Sequence, residues 1–112
     1  MAEGFELGAG ATHLLERYVA ELPGKALQIE DLWQRLKEQP ADRDALANLS
    51  LHVHRLAGSA APYGLPALSE AARSVDRLIT PLARGGAMLP TGMLAALQPL
   101  MDRLKERMLH PS

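Results

Sequence analysis

Side chains able to do covalent or metal chemistry are scarce in this chain of 112 residues, which has no cysteine and four histidines. The missing thiols exclude disulfides, thiolate nucleophiles and Cys-ligated zinc together, and fit a reducing compartment. There is no clustered carboxylate pair, so the reactive inventory is His13, His52, His54 and His110. His52 and His54 are two residues apart, which on a helix turning about 100° per residue sets them roughly 160° apart. They cannot share one ion, since a helical zinc pair needs a spacing nearer four. His13 and His110 lie near the chain ends with no obvious third ligand, and no Glu-x-x-His motif occurs, so no metal site is expected.

His54 is the informative one. On its helix the apolar series Leu46, Leu49, Val53, Leu56, Ala60 marks the buried direction, and His54 falls roughly 120° from its centre, which turns it to water. Ala47, Ser50, Ala57, Gly58 and Ala61 share its flank at offsets of three, four and seven, and all are small. A mid-helix glycine costs about 1 kcal/mol relative to alanine, so Gly58 calls for a reason, and open space beside the imidazole is one. An accessible imidazole on a smooth surface, with no neighbouring acid or nucleophile, is the opposite of a pocket enzyme's histidine. It suits a phosphoryl carrier, because the ring nitrogen is nucleophilic near neutral pH, with an unperturbed pKa of about 6.5.

The elements that must position His54 are helical. Thr12 caps a first short helix with Leu14, Leu15, Tyr18, Val19 and Leu22, which Pro23-Gly24 interrupts. A second carries Ala26, Leu27, Ile29, Leu32, Trp33 and Leu36 and stops before Pro40. Asp42 or Asp44 caps the His54 helix, which Pro62 closes. Pro66 opens a fourth, with Leu68, Ala71, Ala72, Val75, Leu78 and Ile79 inward, ending near Thr80-Pro81. Thr91 caps a last helix with Leu94, Leu97, Leu100, Met101, Leu104 and Met108, kinked or broken at Pro99. Short connections make consecutive helices antiparallel. The expected fold is all-α, an antiparallel up-down four-helix bundle with a short extra N-terminal helix. Residues 1–11 form a flexible lead-in and 12–110 the bundle domain.

Composition narrows the function further. Twelve Lys and Arg against thirteen Asp and Glu give a net charge of -1, with no surplus to neutralise phosphates, so nucleic acid is not an expected partner. Hydrophobic residues are 47% but aromatics only 4%, a core of Leu and Ala that favours helix. The stretch 85–101 lacks charge, yet its Gly, Pro, Thr and Gln content rules out a simple membrane span. The opening Met-Ala-Glu-Gly-Phe-Glu has no secretory character. The expectation is a cytoplasmic, monomeric protein with no membrane partner.

His54-Arg55-Leu56-Ala57-Gly58-Ser59, then Gly64, then Leu68, Ala72 and Val75 at helical spacing, resembles the histidine-containing phosphotransfer (HPt) domain family, whose pattern is His-x-Leu-Lys-Gly-Ser with a second Gly ten positions after the His. The resemblance covers most of the chain. It implies a four-helix bundle that accepts a phosphoryl group on Nε2 of His54 from a receiver-domain phospho-aspartate and passes it to another receiver. It implies no ATP site, no cofactor beyond Mg²⁺ brought by the receiver, and as partners the receivers of response regulators or hybrid histidine kinases. The acidic or amide side chain that orients the imidazole through Nδ1 aligns with Asp76, and the glycine that lets the receiver dock aligns with Gly58. The expected docking surface is Ser50, Leu51, Ala57, Gly58, Ser59 and Ala61. One departure stands out: the family's Lys three residues after the His is Ala57 here, and Arg55, Arg73 or Arg77 would have to stabilise the phosphoryl group instead, Arg55 by curling back from about 100° around the helix. The alternative is an HPt-fold interaction module that works by binding without phosphorylation.

Overall fold

A computed structural model describes the backbone of residues 2–112 and the side chains from His13 onward. Four helices follow in order: α1 (Ala2–Glu38), α2 (Arg43–Ser59), α3 (Pro66–Arg84) and α4 (Met93–Leu109). No strand occurs among the described residues. The helices pack in a ring, α1 on α2, α2 on α3, α3 on α4 and α4 back on α1, with the diagonal pairs apart. Such a ring is the arrangement short loops impose on an up-down four-helix bundle.

The core is aliphatic, as the composition requires. Leu22, Ile29, Trp33 and Leu36 of α1, Leu46, Leu49, Val53 and Leu56 of α2, Leu68, Val75 and Ile79 of α3, and Leu97, Leu104 and Met108 of α4 meet along the axis. Three leucines expected inside are not: Leu14, Leu27 and Leu78 are exposed. Each sits at the edge of its apolar stripe, and the bundle buries only a face of about 100° per helix. The Trp33 indole donates to Gln98 Oε1 at 3.3 Å, tying α1 to α4.

The helix ends depart from expectation in an instructive way. Pro23-Gly24 does not separate a short first helix from a second; α1 runs through it as one helix. Pro81 lies inside α3, which continues to Arg84, and Pro99 lies inside an unbroken α4. Each proline deletes one N–H and orphans one carbonyl, of Val19, Arg77 and Ala95 respectively. All three prolines are on exposed positions, where water can take over the freed carbonyl. Thr91 does not cap α4; the capping position is Gly92 and no side chain bonds there. The backbone of residues 2–11, expected as a lead-in before the first helix, is part of α1.

Glycines, rather than prolines, end α2 and α3. After α2 the backbone makes two bonds, Leu65 N–H to Ala60 O at 3.0 Å and Gly64 N–H to Ala61 O at 2.9 Å, with Gly64 at φ 82°. This is a Schellman cap, whose left-handed position favours glycine. Buried Leu65 then seats the chain. The end of α3 repeats it with Ala87 N–H to Leu82 O, Gly86 N–H to Ala83 O and Gly86 at φ 67°. At the other ends, the Asp42 carboxylate accepts the Ala45 N–H at 3.0 Å and caps α2. The N-terminus of α3 has no side-chain cap. The Ser112 carbonyl fills that role, accepting from Ala67 and Leu68 at 3.0 and 3.1 Å.

Candidate functional site

The site is built where α2 and α3 run antiparallel against each other, the most extensive helix pairing of the bundle. Ser50 and His54 are one turn apart on α2, and Asp76 and Thr80 are one turn apart on α3, so each pair shares a face. With the helices opposed in direction, His54 stands across from Asp76 and Ser50 across from Thr80. The Nδ1 atom of His54 lies 3.1 Å from Asp76 Oδ2 and 3.2 Å from Oδ1. Thr80 donates its hydroxyl to Asp76 Oδ1, and Ser50 Oγ lies 2.8 Å from Thr80 Oγ1.

This geometry assigns the imidazole tautomer. A carboxylate only accepts, so the proton of a neutral His54 belongs on Nδ1, and Nε2 keeps its lone pair. The His54 side chain is 56% exposed and that of Asp76 17%. The ring is therefore anchored on its inner nitrogen and open on its outer one. Beside it lies a shallow depression of about 230 Å³ walled by Ala47, Leu51, Ala83 and Arg84, with Ser50 and Thr80 beneath. Leu51 is 46% exposed there. Among the described residues, no group of three or more His, Asp or Glu is placed to hold a metal ion.

The other expected site residues divide. Gly58 is exposed one turn beyond His54, and a Cβ built on it meets no atom within 4 Å. Ala61 is exposed as well. Ser59 is half-buried, 2.7 Å from the Tyr18 hydroxyl, and Tyr18 stacks on Tyr63 with ring centroids 4.3 Å apart. Burial pushes the Tyr18 hydroxyl above its usual range, which keeps it a neutral partner for Ser59. Two assignments need correction. Ser50 and Ala57, expected on the docking surface, are buried. The α2–α3 contact covers that edge of the helix: Ser50 turns to Thr80, and Ser69 of α3 donates to the Ala57 carbonyl at 2.9 Å.

Arg55 does not curl back toward His54. It lines a small cavity of about 120 Å³ between α1 and α2, with Lys25 and His52, about 100° around the helix from His54. Burial first, then the charges of Arg55 and Lys25, hold the His52 imidazole below its ordinary value. The cation that does line the depression beside His54 is Arg84, at the end of α3. Reading the sequence missed Arg84 because it placed the end of α3 at Pro81, a turn too early. It missed Thr80 for the same reason, although a hydroxyl four residues after Asp76 was the available signal.

A ring of four antiparallel helices carrying a solvent-facing histidine that a carboxylate from the next helix anchors is the architecture of a phosphotransfer bundle. The chain belongs to the Hpt domain family, whose model matches residues 13–107. At the level of the family this means histidine phosphotransfer in two-component phosphorelays, with receiver domains as the interacting class. Comparison with curated proteins and with solved structures gave no significant match. No helix among the described residues is long and apolar enough to cross a membrane.

Proposed function

We propose that this protein is a monomeric, cytoplasmic phosphorelay intermediate in which His54 takes a phosphoryl group from a receiver's phospho-aspartate and delivers it to a second receiver. The observation that carries the reading is the His54–Asp76 contact on an exposed ring. In the transfer, the Nε2 lone pair forms a bond to phosphorus while the phosphorus–oxygen bond to the receiver's aspartate breaks, its carboxylate leaving with the electron pair. The ring becomes a phosphoimidazolium that still carries the Nδ1 proton. Asp76 faces that new positive charge from 3.1 Å, so its attraction is strongest when the ring is phosphorylated. Return transfer runs the same bonds in reverse. Positioning and charge stabilisation are the main demands of such a reaction, and the Mg²⁺ that serves it belongs to the receiver.

The docking face follows from the same surface: Leu51, Gly58 and Ala61 around His54, with Arg84 at the rim. Mixing the purified protein with phosphorylated receivers and following the label tests the reading. Label should appear on wild type and be absent from His54→Gln; undiminished labelling of that variant would refute it. A second reading, binding without phosphorylation, draws on buried Ala57, which leaves no cation at the third position after His54. Under it, His54→Ala would leave receiver affinity and signalling output unchanged.

A further inference from the structure

Asp76 needs restraint to serve His54. It has Arg77 beside it and Arg73 one turn before it on α3, and either guanidinium could draw the carboxylate away from the α2–α3 seam. Arg73 is occupied with Glu70 at 3.8 Å, whereas Arg77 makes no ion pair among the described residues. What holds Asp76 on the seam is the hydroxyl of Thr80, which donates to its Oδ1. Thr80 itself is buried, as is Ser50 across from it.

The direction of each bond in this row is fixed by counting protons. Thr80 has one hydroxyl proton, and Asp76 can only accept, so that proton is committed to Asp76. The 2.8 Å contact between Ser50 and Thr80 must then run the other way, with Ser50 donating to the Thr80 oxygen. His54 donates its Nδ1 proton to the same carboxylate. We infer that Ser50 and Thr80 are positioning residues of the phosphoacceptor site: a one-way row of hydrogen bonds from Ser50 through Thr80 locks the Asp76 carboxylate. The lock fixes the His54 ring as the Nδ1–H tautomer with Nε2 outward.

The inference rests on the phosphotransfer reading for its purpose, but its structural content stands on the row itself. Ser50 and Thr80 are hydroxyls on otherwise apolar faces, next to Leu46, Leu49 and Val53 on α2 and Val75 and Ile79 on α3. Packing alone would be served by alanine and valine there. Burying two hydroxyls is costly unless each finds a partner, and among the described residues no buried side-chain polar atom lacks one.

The experiment combines nitrogen NMR of the histidine rings with phosphotransfer in wild type, Thr80→Val, Thr80→Ser and Ser50→Ala. Wild-type His54 should show a protonated Nδ1 and an unprotonated Nε2. In Thr80→Val the two tautomers should mix and transfer should slow by about 10-fold, the low end of what losing the outer hydrogen-bond partner of a metal-ligating histidine costs. Thr80→Ser, which keeps the donor, should restore both readouts, and Ser50→Ala should show a smaller shift in the same direction. Wild-type tautomer and rate in a folded Thr80→Val overturn the inference; if that variant does not fold, wild-type values in Ser50→Ala do so. Failure of wild type to accept label from any receiver refutes the phosphotransfer reading alone, because the tautomer comparison still decides the row.

Discussion

Replacing Gly58 by alanine should make the protein more stable and less functional at once. The structure supplies both halves of the argument. Gly58 is helical, has no positive φ, and a Cβ added to it meets nothing within 4 Å. The methyl therefore strains nothing and removes backbone freedom from the unfolded chain. Alanine is better than glycine in a helix by about 0.5 to 1 kcal/mol, worth roughly 2 to 6 °C in Tm for a domain of this size. The same methyl stands on the exposed face one turn from His54, where a docking receiver must come close. Displacing the phosphorus from Nε2 by an ångström costs on the order of 10²-fold in rate. Thermal and urea denaturation followed by circular dichroism measure the first effect, and initial rates of label transfer from a phosphorylated receiver measure the second. A lower Tm would contradict the open space around Gly58. A higher Tm with undiminished transfer would show that the glycine is not kept for partner approach.

Pro23→Ala should raise stability by about 1 to 3 kcal/mol, because it restores the N–H that Val19 O lacks in a helix that already continues through this point; a fall in the urea midpoint would show that α1 depends on the proline. His52→Gln should flatten the acid limb of the stability curve. Since the folded protein holds His52 below its ordinary 6.5, the unfolded chain binds the proton more readily, so stability is full above about pH 6.5 and is lost as pH falls through the lowered value. A wild-type slope below pH 6.5 that persists in the variant would assign it to other groups.

How much of this was legible in the sequence follows from the range of each interaction. The class of fold, the buried stripe of α2 and the exposure of His54 come from local periodicity, which is written in residues three and four apart. The cap at Asp42 is local too, and so is the turn at Gly64, where only glycine sits easily at positive φ. Asp76 was named as the partner of His54 through the family resemblance and not through any local pattern, because the contact joins two helices. Proline was the misleading signal: its cost is a single hydrogen bond, and a solvent-facing site with the rest of the helix packed on a core can absorb it, as Pro23, Pro81 and Pro99 do.

The tertiary structure decided everything that depends on how two helices are rotated against each other. The roll of α2 toward α3 buried Ser50 and Ala57 while leaving Gly58 and Leu51 in water, a choice of flank that no single-helix pattern resolves. The register of that pair set His54 against Asp76 and Ser50 against Thr80. It also sent Arg55 to the α1 side and brought Arg84 to the His54 side. By itself the sequence determined that one histidine would stand on a smooth helical surface. The family resemblance added Asp76 as its partner, and only the packing of α2 on α3 brought in Thr80 and Ser50 behind that carboxylate, because these contacts join residues 22 and 30 positions apart in the chain.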